Sequence, residues 1–411
     1  MSDSLESVIP LLKEYKQEHL IQFYDELENA EKTILIDQIK KTDFAFLREL
    51  FVNSFTDEVI DSSRITPMQC FNKDEMSREE KDKYISFGEE VIINGEVAVL
   101  TLAGGMGSRL GYKGPKGCYE IDVVPKKSLF EFICDKLKIQ FQRYGVYLNW
   151  YIMTSPSNDK QTKEYFESHH YFGYPKEKVY FFIQNTMNII DTNGNVMLDS
   201  EYTLKKDSNG NGDIFQAFMD AGLVNTLENI KWISVSGIDN ILLEVIDPLL
   251  IGLAISQKSS IASKSVRKQD VDGKEWVFAN VDNHPNIIDP DFLTEDMIAT
   301  NQYNQINILS HLFTKEAFIE SSKIQIPYHR AFKKNDFIND EGMKVVAKEP
   351  NSFKFEKFIF DVFPHFENFT LLEVEKEMEF APIKAFTGDA TPENALEMYL
   401  KKIGRNSSIL Y

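Results

Sequence analysis

The stretch VAVLTLAGGMGSRLGYKGPKG, residues 97–117, decides how the rest of the chain is interpreted. Its first seven residues are apolar or β-branched and predict a buried strand. A glycine-rich segment follows at once, and it contains Arg109 and Lys116. Glycines leave room for backbone N–H groups to approach an anion, and they permit turns with positive φ. We therefore expect a loop that wraps phosphate groups, with Arg109 contacting two oxygens and Lys116 acting as a point charge.

Two common glycine motifs do not fit this spacing. A P-loop requires GxxxxGK[ST], which does not occur in the sequence, and a dinucleotide fingerprint requires GxGxxG. Gly105, Gly107 and Gly111 instead give GxGxxxG. The remaining alternative to an anion-binding loop is an ordinary surface turn after a core strand.

On both sides of this loop, residue patterns indicate an α/β fold around a largely parallel sheet. Further strands are predicted at 150–155, 179–184 and 232–237, and helices at 128–144, 159–169 and 214–227. Turn residues predict hairpins at 191–196 and 277–288 and a loop at 206–213. We expect a helical amino-terminal region over 1–92, a catalytic domain over 93–390 and a short helix over 391–411.

Composition limits the classes of function. The chain has 411 residues and a formal net charge of -19, which argues against nucleic-acid binding and means that any phosphate site must be a local basic patch helped by a cation. Apolar runs are too short to cross a membrane, and the amino terminus lacks the features of a secretory signal. The three cysteines show no CxxC spacing, so a reducing cytoplasm is expected.

The loop and an ordered series of later segments resemble the UDP-sugar pyrophosphorylase family, and most of all its UDP-N-acetylglucosamine pyrophosphorylases. The family signature LxxGxGTRLG followed by PKG is similar to residues 102–117. The later segments are KKSLFEF (126–132), WYIMTS (150–155), YFG (171–173), VYFFIQ (179–184), NGNGDIF (209–215), IDNIL (238–242), KFEKFIFDVF (354–363) and EFAPIK (379–384).

This resemblance implies a Rossmann-like GT-A nucleotidyltransferase fold, with UTP and a sugar 1-phosphate as substrates and Mg²⁺ as cofactor. N-acetylglucosamine 1-phosphate is the favoured sugar, and the oligomeric state is left open. The resemblance assigns the nucleotide to Ala103, Gly104, Gly105, Gly107, Ser108, Arg109, Lys116, Gln184 and Gly210. It assigns the sugar to Asn211, Asp289, Asn307 and Phe358, the metal to Asp239, and the sugar phosphate to Lys384. Arg109, Lys116 and Lys384 would be the catalytic cations.

Several alternatives stay open at this point. Asp239 could be a helix N-cap, Lys384 a solvated surface lysine, Phe358 a core residue, and the loop around Asn211 an ordinary turn. The family's NAGN element appears as NQIN at 304–307, without its glycine. Glucose 1-phosphate or galactose 1-phosphate could replace the N-acetyl sugar, and a non-catalytic nucleotide-sugar binder is the alternative from another class.

Overall fold

A computed structural model describes residues 4–55, 60–268 and 275–407. The chain forms two compact units. The sheet unit contains Ile60–Gln184, Ile214–Gln325 and Phe360–Tyr411, and the second unit contains Met1–Val59, Asn185–Asp213 and Ile326–Ile359. The sequence predicted regions that follow one another along the chain, with boundaries at residues 92 and 390. In the structure, each unit instead combines three segments that are separated in the sequence. Local patterns locate elements but do not reveal which distant segments pack together.

The helices and strands are numbered in chain order. The α-helices are α1 (Ile9–Tyr15), α2 (Asn29–Lys40), α3 (Phe44–Asn53), α4 (Arg78–Ile93), α5 (Leu129–Tyr144), α6 (Asp159–Ser168), α7 (Ile214–Asp220), α8 (Pro248–Gln257), α9 (Glu295–Ala299), α10 (Lys315–Ser321), α11 (Lys376–Glu379) and α12 (Pro392–Ser407). The strands are β1 (Ile65–Pro67), β2 (Phe71–Asn72), β3 (Val97–Leu102), β4 (Glu120–Ile121), β5 (Lys127–Ser128), β6 (Asn149–Thr154), β7 (Val179–Ile183), β8 (Thr186–Asn188), β9 (Ile190–Asp191), β10 (Leu198–Ser200), β11 (Thr203–Leu204), β12 (Lys206–Ser208), β13 (Trp232–Gly237), β14 (Ile261–Arg267), β15 (Val277–Val281), β16 (His284–Ile288), β17 (Gln305–Thr314), β18 (His329–Lys333), β19 (Phe337–Ile338), β20 (Lys344–Val345), β21 (Ser352–Glu356) and β22 (Phe369–Glu373).

The sheet unit is built on a large sheet with the order β2-β22-β14-β17-β13-β3-β6-β7. Its pairs are parallel except where β17 runs antiparallel to both neighbours and where the β15–β16 hairpin and β1 attach. All six residues of β3 are buried. The predicted α/β fold with a mainly parallel sheet is therefore confirmed.

Helices α4 and α8 pack unusually close together because glycines lie at their crossing. A Cβ atom on Gly252 would lie 1.7 Å from the Tyr84 carbonyl oxygen, and one on Gly88 would lie 2.0 Å from the Pro248 oxygen. No side chain fits at either position. Helix α8 begins at Pro248, and its N-cap Asp247 accepts hydrogen bonds from the amides of Leu249 and Leu250.

The second unit has its own core and small sheets. Residues from α1, α2 and α3 pack with strand residues such as Ile190, Leu204 and Phe355. Strands β9, β21 and β18 form a three-stranded antiparallel sheet, and β8 pairs with β12. This core joins segments that are far apart in the sequence.

Most predicted elements are present, including the hairpin at 277–288, and three regions differ from the prediction. The hairpin at 277–288 turns at Asp282 and Asn283, whose φ values of 52° and 67° suit a tight turn. The loop predicted at 206–213 was wrong in part, because 206–208 forms β12. The helix predicted at 214–227 breaks at Gly222, where φ is 69°. The amino-terminal region, predicted to be helical, also contains β1 and β2. These strands are too short to give a periodic pattern in the sequence. No helix in the described residues is long and apolar enough to span a bilayer.

Candidate active site

The site lies where β3 and β13 end side by side. These strands pair in parallel, with Leu102 opposite Gly237, and the amide of Ile238 donates to the Leu102 oxygen over 3.2 Å. After β3 the chain goes to β6 and β7 on one side, whereas β13 lies on the other side. In α/β sheets such a reversal opens a crevice at the carboxyl ends of the strands.

The loop that follows β3 is held by hydrogen bonds to the protein. The Ala103 amide donates to the Met153 oxygen over 2.8 Å, and the Lys116 amide donates to the Gly105 oxygen over 3.0 Å. The buried Asn158 side chain donates to the oxygens of Ala103 and Gly105. Because these contacts use the carbonyl groups, the loop keeps its shape without a ligand.

Three successive amides of this loop are left available. Among the described residues, the N–H groups of Gly104, Gly105 and Met106 have no hydrogen-bond acceptor. Gly105 and Met106 are exposed, and Gly104 is half-buried. Consecutive free amides form a concave site with positive potential. The loop therefore has the property expected of a phosphate-binding loop.

The reason for most of the loop glycines differs from the one predicted. A Cβ atom on Gly107 would lie 2.8 Å from the Tyr112 ring, and one on Gly117 would lie 2.2 Å from the Phe130 ring. Glycine is required there by the protein's own side chains. Among the glycines at 104, 105 and 107, only Gly105 has open space where a Cβ atom would lie. Among the glycines at 104–117, only Gly111 has a positive φ, 60°.

Lys116 and Asp239 meet across the strand ends. The Lys116 Nζ lies 3.4 Å from the Asp239 Oδ2, and the side chains are 15% and 23% exposed. No helix begins at Asp239, so the N-cap alternative was wrong; Asp247 is the residue that caps the next helix. A Cβ atom on Gly237 would lie 2.9 Å from the Asp239 Oδ1, so glycine at this position leaves room for the carboxylate. The carboxylate is thereby free to pair with a cation.

The segment that carries Lys384 is fastened to the same strand end. The Asn240 side chain donates to the Glu379 oxygen over 2.7 Å and accepts from the Ala381 amide over 3.0 Å. The Ile383 amide donates to the Asp239 oxygen over 2.9 Å. Lys384 therefore follows directly after a segment that is hydrogen-bonded to Asp239.

Arg109 and Lys384 are two cations of this region that remain uncommitted. Both side chains are exposed, and within the described part of the chain neither has an ion pair or side-chain hydrogen bond. Ser108 is exposed beside Arg109. A Cβ atom on Gly111 would lie 3.7 Å from Phe386, so the end of the loop is close to the segment that follows Lys384.

Gln184 lies directly over the loop. It directly follows β7, is 6% exposed, and its Nε2 would lie 2.3 Å from a Cβ atom on Gly104. Its backbone amide donates to the Thr154 oxygen. The buried amide can therefore hydrogen-bond with a group that enters over Gly104.

Asn307 and Asp289 have local structural partners in the sheet unit. The Asn307 Oδ1 accepts from the amide of Leu309, a residue held at a φ of 54°. Asp289 caps a short 3₁₀ helix by accepting from the Asp291 amide over 3.0 Å. These contacts do not test the predicted sugar contacts, which stay predictions.

Gly210, Asn211 and Phe358 belong to the second unit and lie together there. A Cβ atom on Gly210 would lie 2.2 Å from the Lys357 oxygen, and the Asn211 Oδ1 accepts from the Ile359 amide over 3.0 Å. The Phe358 ring is half-buried and lies 4.7 Å from the His329 ring. Part of the glycine content of this loop is thus explained by the close backbone of 356–358, and Phe358 is not a fully buried core residue.

The sequence interpretation missed the residues that hold the site in place. Asn158 follows strand β6 in the run TSPSND, and only its burial shows that it supports the loop. Lys264 is fully buried between Asp247 and Glu379, each 2.8 Å away. Burial lowers the Lys264 pKa, but the two carboxylates outweigh burial and raise it above its usual value. The one available signal in the sequence was a lysine within the run IASKSVR at 261–267.

The metal prediction rests on a single protein carboxylate. Among the described residues no group of three or more His, Cys, Asp or Glu side chains could hold a metal ion. Mg²⁺ at phosphate-transfer sites is commonly held by one or two carboxylates together with substrate phosphates. Asp239, at the strand end beside the free amides, fits that donor set.

The chain is similar to known proteins over most of its length. A family model described as UTP–glucose-1-phosphate uridylyltransferase matches residues 42–391. The chain is similar to UDP-N-acetylglucosamine diphosphorylase 2 of Arabidopsis thaliana, with 31% identity over 96% of this chain and 83% of that protein. It is also similar to UDP-N-acetylglucosamine pyrophosphorylase of Saccharomyces cerevisiae, with 33% identity over 85% of this chain and 77% of that one.

A solved structure gives the same result for the fold. It is the uridine diphosphate N-acetylglucosamine pyrophosphorylase from Trypanosoma brucei in complex with an inhibitor. It matches with a TM-score of 0.81 and 26% identity, over 98% of this chain and 85% of that one. The predicted nucleotidyltransferase-like fold is confirmed.

Two loop glycines should respond differently to alanine. Gly117→Ala places a methyl group against the buried Phe130 ring and should lower the free energy of unfolding by roughly 1–3 kcal/mol. Gly105→Ala enters open space and should change it by less than about 0.5 kcal/mol. Urea unfolding of both variants measures this difference, and equal losses would show that Gly105 is required by the fold itself.

Proposed function

We propose, from the premise that the chain belongs to the UTP–glucose-1-phosphate uridylyltransferase family, that it transfers the uridylyl group of UTP to N-acetylglucosamine 1-phosphate. Pyrophosphate is the other product. The observation that carries the proposal is the run of free amides at Gly104, Gly105 and Met106 beside the Lys116–Asp239 pair. Named relatives over most of the chain are pyrophosphorylases, and the chain is a nucleotidyltransferase.

The reaction needs charge to be managed rather than a base. A phosphate oxygen of the sugar 1-phosphate, already ionised at neutral pH, attacks the α-phosphorus of UTP, and the bond from that phosphorus to the bridging oxygen breaks. The bridging oxygen leaves with its electron pair as pyrophosphate. No proton must be removed from the nucleophile, so no histidine is needed as a general base. Catalysis then depends on positioning and on stabilising negative charge.

The protein groups divide this work. The free amides and Arg109 hold the triphosphate, and Lys116 adds positive charge at the strand end. Lys384, on the segment fastened to Asp239, holds the phosphate of the sugar. Ala103 and Gln184 form the wall around the nucleoside part of UTP, which lies over Gly104. The buried side-chain amide of Gln184 can hydrogen-bond with the base there.

We assign Mg²⁺ to Asp239 within this proposal. When bound, Mg²⁺ neutralises phosphate charge and helps to align the reacting groups. The Lys116 ammonium group lies 3.4 Å from the Asp239 carboxylate and partly compensates its charge. Full turnover in excess chelator would contradict the assignment.

The sugar contacts are also proposals. Gly210 is assigned to the uracil, and Asn211, Asp289, Asn307 and Phe358 to the sugar, as the family resemblance implies. N-acetylglucosamine is favoured because relatives with 31% and 33% identity are named for it. The description of the family model names glucose 1-phosphate, so that sugar is the main alternative.

A panel of sugar 1-phosphates with UTP tests the substrate. Pyrophosphate release should be fastest with N-acetylglucosamine 1-phosphate, compared with glucose 1-phosphate and galactose 1-phosphate. Faster turnover of glucose 1-phosphate would change the substrate assignment. Release with none of the sugars would favour a non-catalytic nucleotide-sugar binder.

Arg109→Ala and Lys384→Ala should each lower kcat/KM by about a hundredfold or more, because each removes a cation that contacts phosphate. Lys113→Ala is the matched control, since Lys113 is an exposed lysine of the same loop with no assigned role. Its rate should stay within about twofold of the parent protein. Equal effects of Lys113→Ala and Lys384→Ala would refute the specific role of Lys384.

We also propose a cytoplasmic location. The three cysteines are free, and Cys118 and Cys134 are buried thiols. Burial raises the pKa of both thiols to about 12, so they stay protonated at neutral pH. Recovery of the protein in a secreted or organelle fraction would contradict this location.

A further inference from the structure

The sheet unit contains a second cavity that the proposed reaction does not use. Its volume is about 550 Å³, within the range typical of small-molecule sites. No residue of the loop 103–117 lines it. Its walls come from helices α4, α5, α8 and α12 and from the segments that follow Asp239 and precede Lys384.

The carboxylates of this cavity are already engaged. Asp247 and Glu379 bind the buried Lys264, and Asp135 binds Lys127 and Lys138. The two others accept hydrogen bonds from neutral side chains: Glu89 from the Tyr144 hydroxyl over 3.0 Å, and Glu244 from the Gln140 amide over 3.3 Å. Lysines thus neutralise Asp135, whereas Asp247 and Glu379 share the single charge of Lys264, and Glu89 and Glu244 are hydrogen-bonded by neutral donors.

Four lining lysines lie outside these ion pairs. Within the described residues, Lys73, Lys81, Lys136 and Lys402 form no ion pair with a carboxylate. Lys136 donates to the Ile241 oxygen over 2.7 Å, and Lys402 donates to the oxygens of Leu242 and Met378, both over 2.8 Å. Backbone carbonyls thus take the place of anions.

The lack of an ion pair has its greatest energetic effect at Lys136 and Lys402. Burial, and secondarily the charge of Lys402, lower the pKa of Lys136 to about 7, and burial also lowers the pKa of Lys402. The charges of Glu244 and Glu379 raise both pKa values and offset part of this effect, but neither carboxylate forms an ion pair with Lys136 or Lys402. Two buried ammonium groups near each other are costly. An anion that entered the cavity would remove that cost.

Gln140 supplies an independent observation. Its side chain lines the cavity and is 2% exposed, and its Oε1 has no hydrogen-bond partner among the described residues. An amide oxygen only accepts hydrogen bonds, so its missing partner is a donor such as a hydroxyl group. The cavity thus offers positive charge for an anion, and its wall contains an unpaired hydrogen-bond acceptor just beneath the surface.

We propose that this cavity is a second binding site, for a small organic phosphate that also carries a hydroxyl group. A phosphate monoester fits four lysines better than a carboxylate does, because it carries up to two negative charges and presents three terminal oxygens. Lys136 and Lys402 contact the phosphate, and Gln140 Oε1 accepts the hydroxyl proton.

The site is connected to the reaction through the two segments that form its wall. Lys136 and Lys402 hold the backbone at 241 and 242, just after Asp239, and Lys402 also holds Met378, before Lys384. A ligand that draws these ammonium groups away changes how both segments are held. Occupancy should therefore change turnover, a consequence that rests on the proposed function, whereas binding itself does not.

Calorimetric titration with glycerol 3-phosphate tests the binding. The full chain carrying Arg109→Ala and Lys384→Ala is the background, since these changes weaken phosphate binding at the loop. Lys402→Met is added to remove the charge but keep the length of the side chain, and Lys401→Met is the matched control. Lys401 is the adjacent residue of α12, 67% exposed and paired with Glu397.

We expect saturable binding to the background protein and the Lys401→Met variant, and at least about tenfold weaker binding to Lys402→Met, as loss of a charged hydrogen bond predicts. Glycerol should not bind, and inorganic phosphate should bind more weakly than glycerol 3-phosphate. Thermal unfolding verifies that each variant is folded. If Lys402→Met is not folded, the affinity of the Lys136→Met variant for glycerol 3-phosphate tests the proposal instead. Equal affinities of the two lysine variants, or no binding up to about 10 mM, would overturn the proposal.

Discussion

The parallel pairing of β3 with β13 is the constraint on which the site depends. With Leu102 opposite Gly237, the chain leaves both strands at the same level of the sheet. One strand continues into the loop with free amides, and the other into Asp239. Because the register is fixed by buried backbone hydrogen bonds, Lys116 and Asp239 are brought within 3.4 Å of each other. The protein's own backbone thus positions the groups of the site.

The supporting residues explain how a strongly acidic chain can bind polyanions. Asn158 uses its amide to hold two loop carbonyls, which leaves the amides of 104–106 directed to a ligand. Asn240 holds the segment before Lys384 through two hydrogen bonds. Positive potential thus comes from oriented backbone dipoles and a few lysine and arginine side chains, and the average charge of the protein matters less than these local groups.

The sequence predicted what is local and missed what depends on packing. The strand at 97–102, the helix from Ser128 and the hairpin at 277–288 follow from periodicity, capping and turn residues. The candidate cations and Asp239 could be identified because they belong to a motif-rich series. The role of Gly107 and Gly117 could not, because it is set by Tyr112 and Phe130 in three dimensions. The buried Lys264 and the lysine-lined cavity were equally hidden, since their residues are far apart in the sequence.

A crystal structure of the protein soaked with UTP is the most direct test of the central claim. The account predicts that triphosphate oxygens accept hydrogen bonds from the amides of Gly104, Gly105 and Met106, with the Arg109 guanidinium and the Lys116 ammonium group in contact with the same phosphates. UTP bound elsewhere, or bound with its phosphates directed away from these amides, would contradict it.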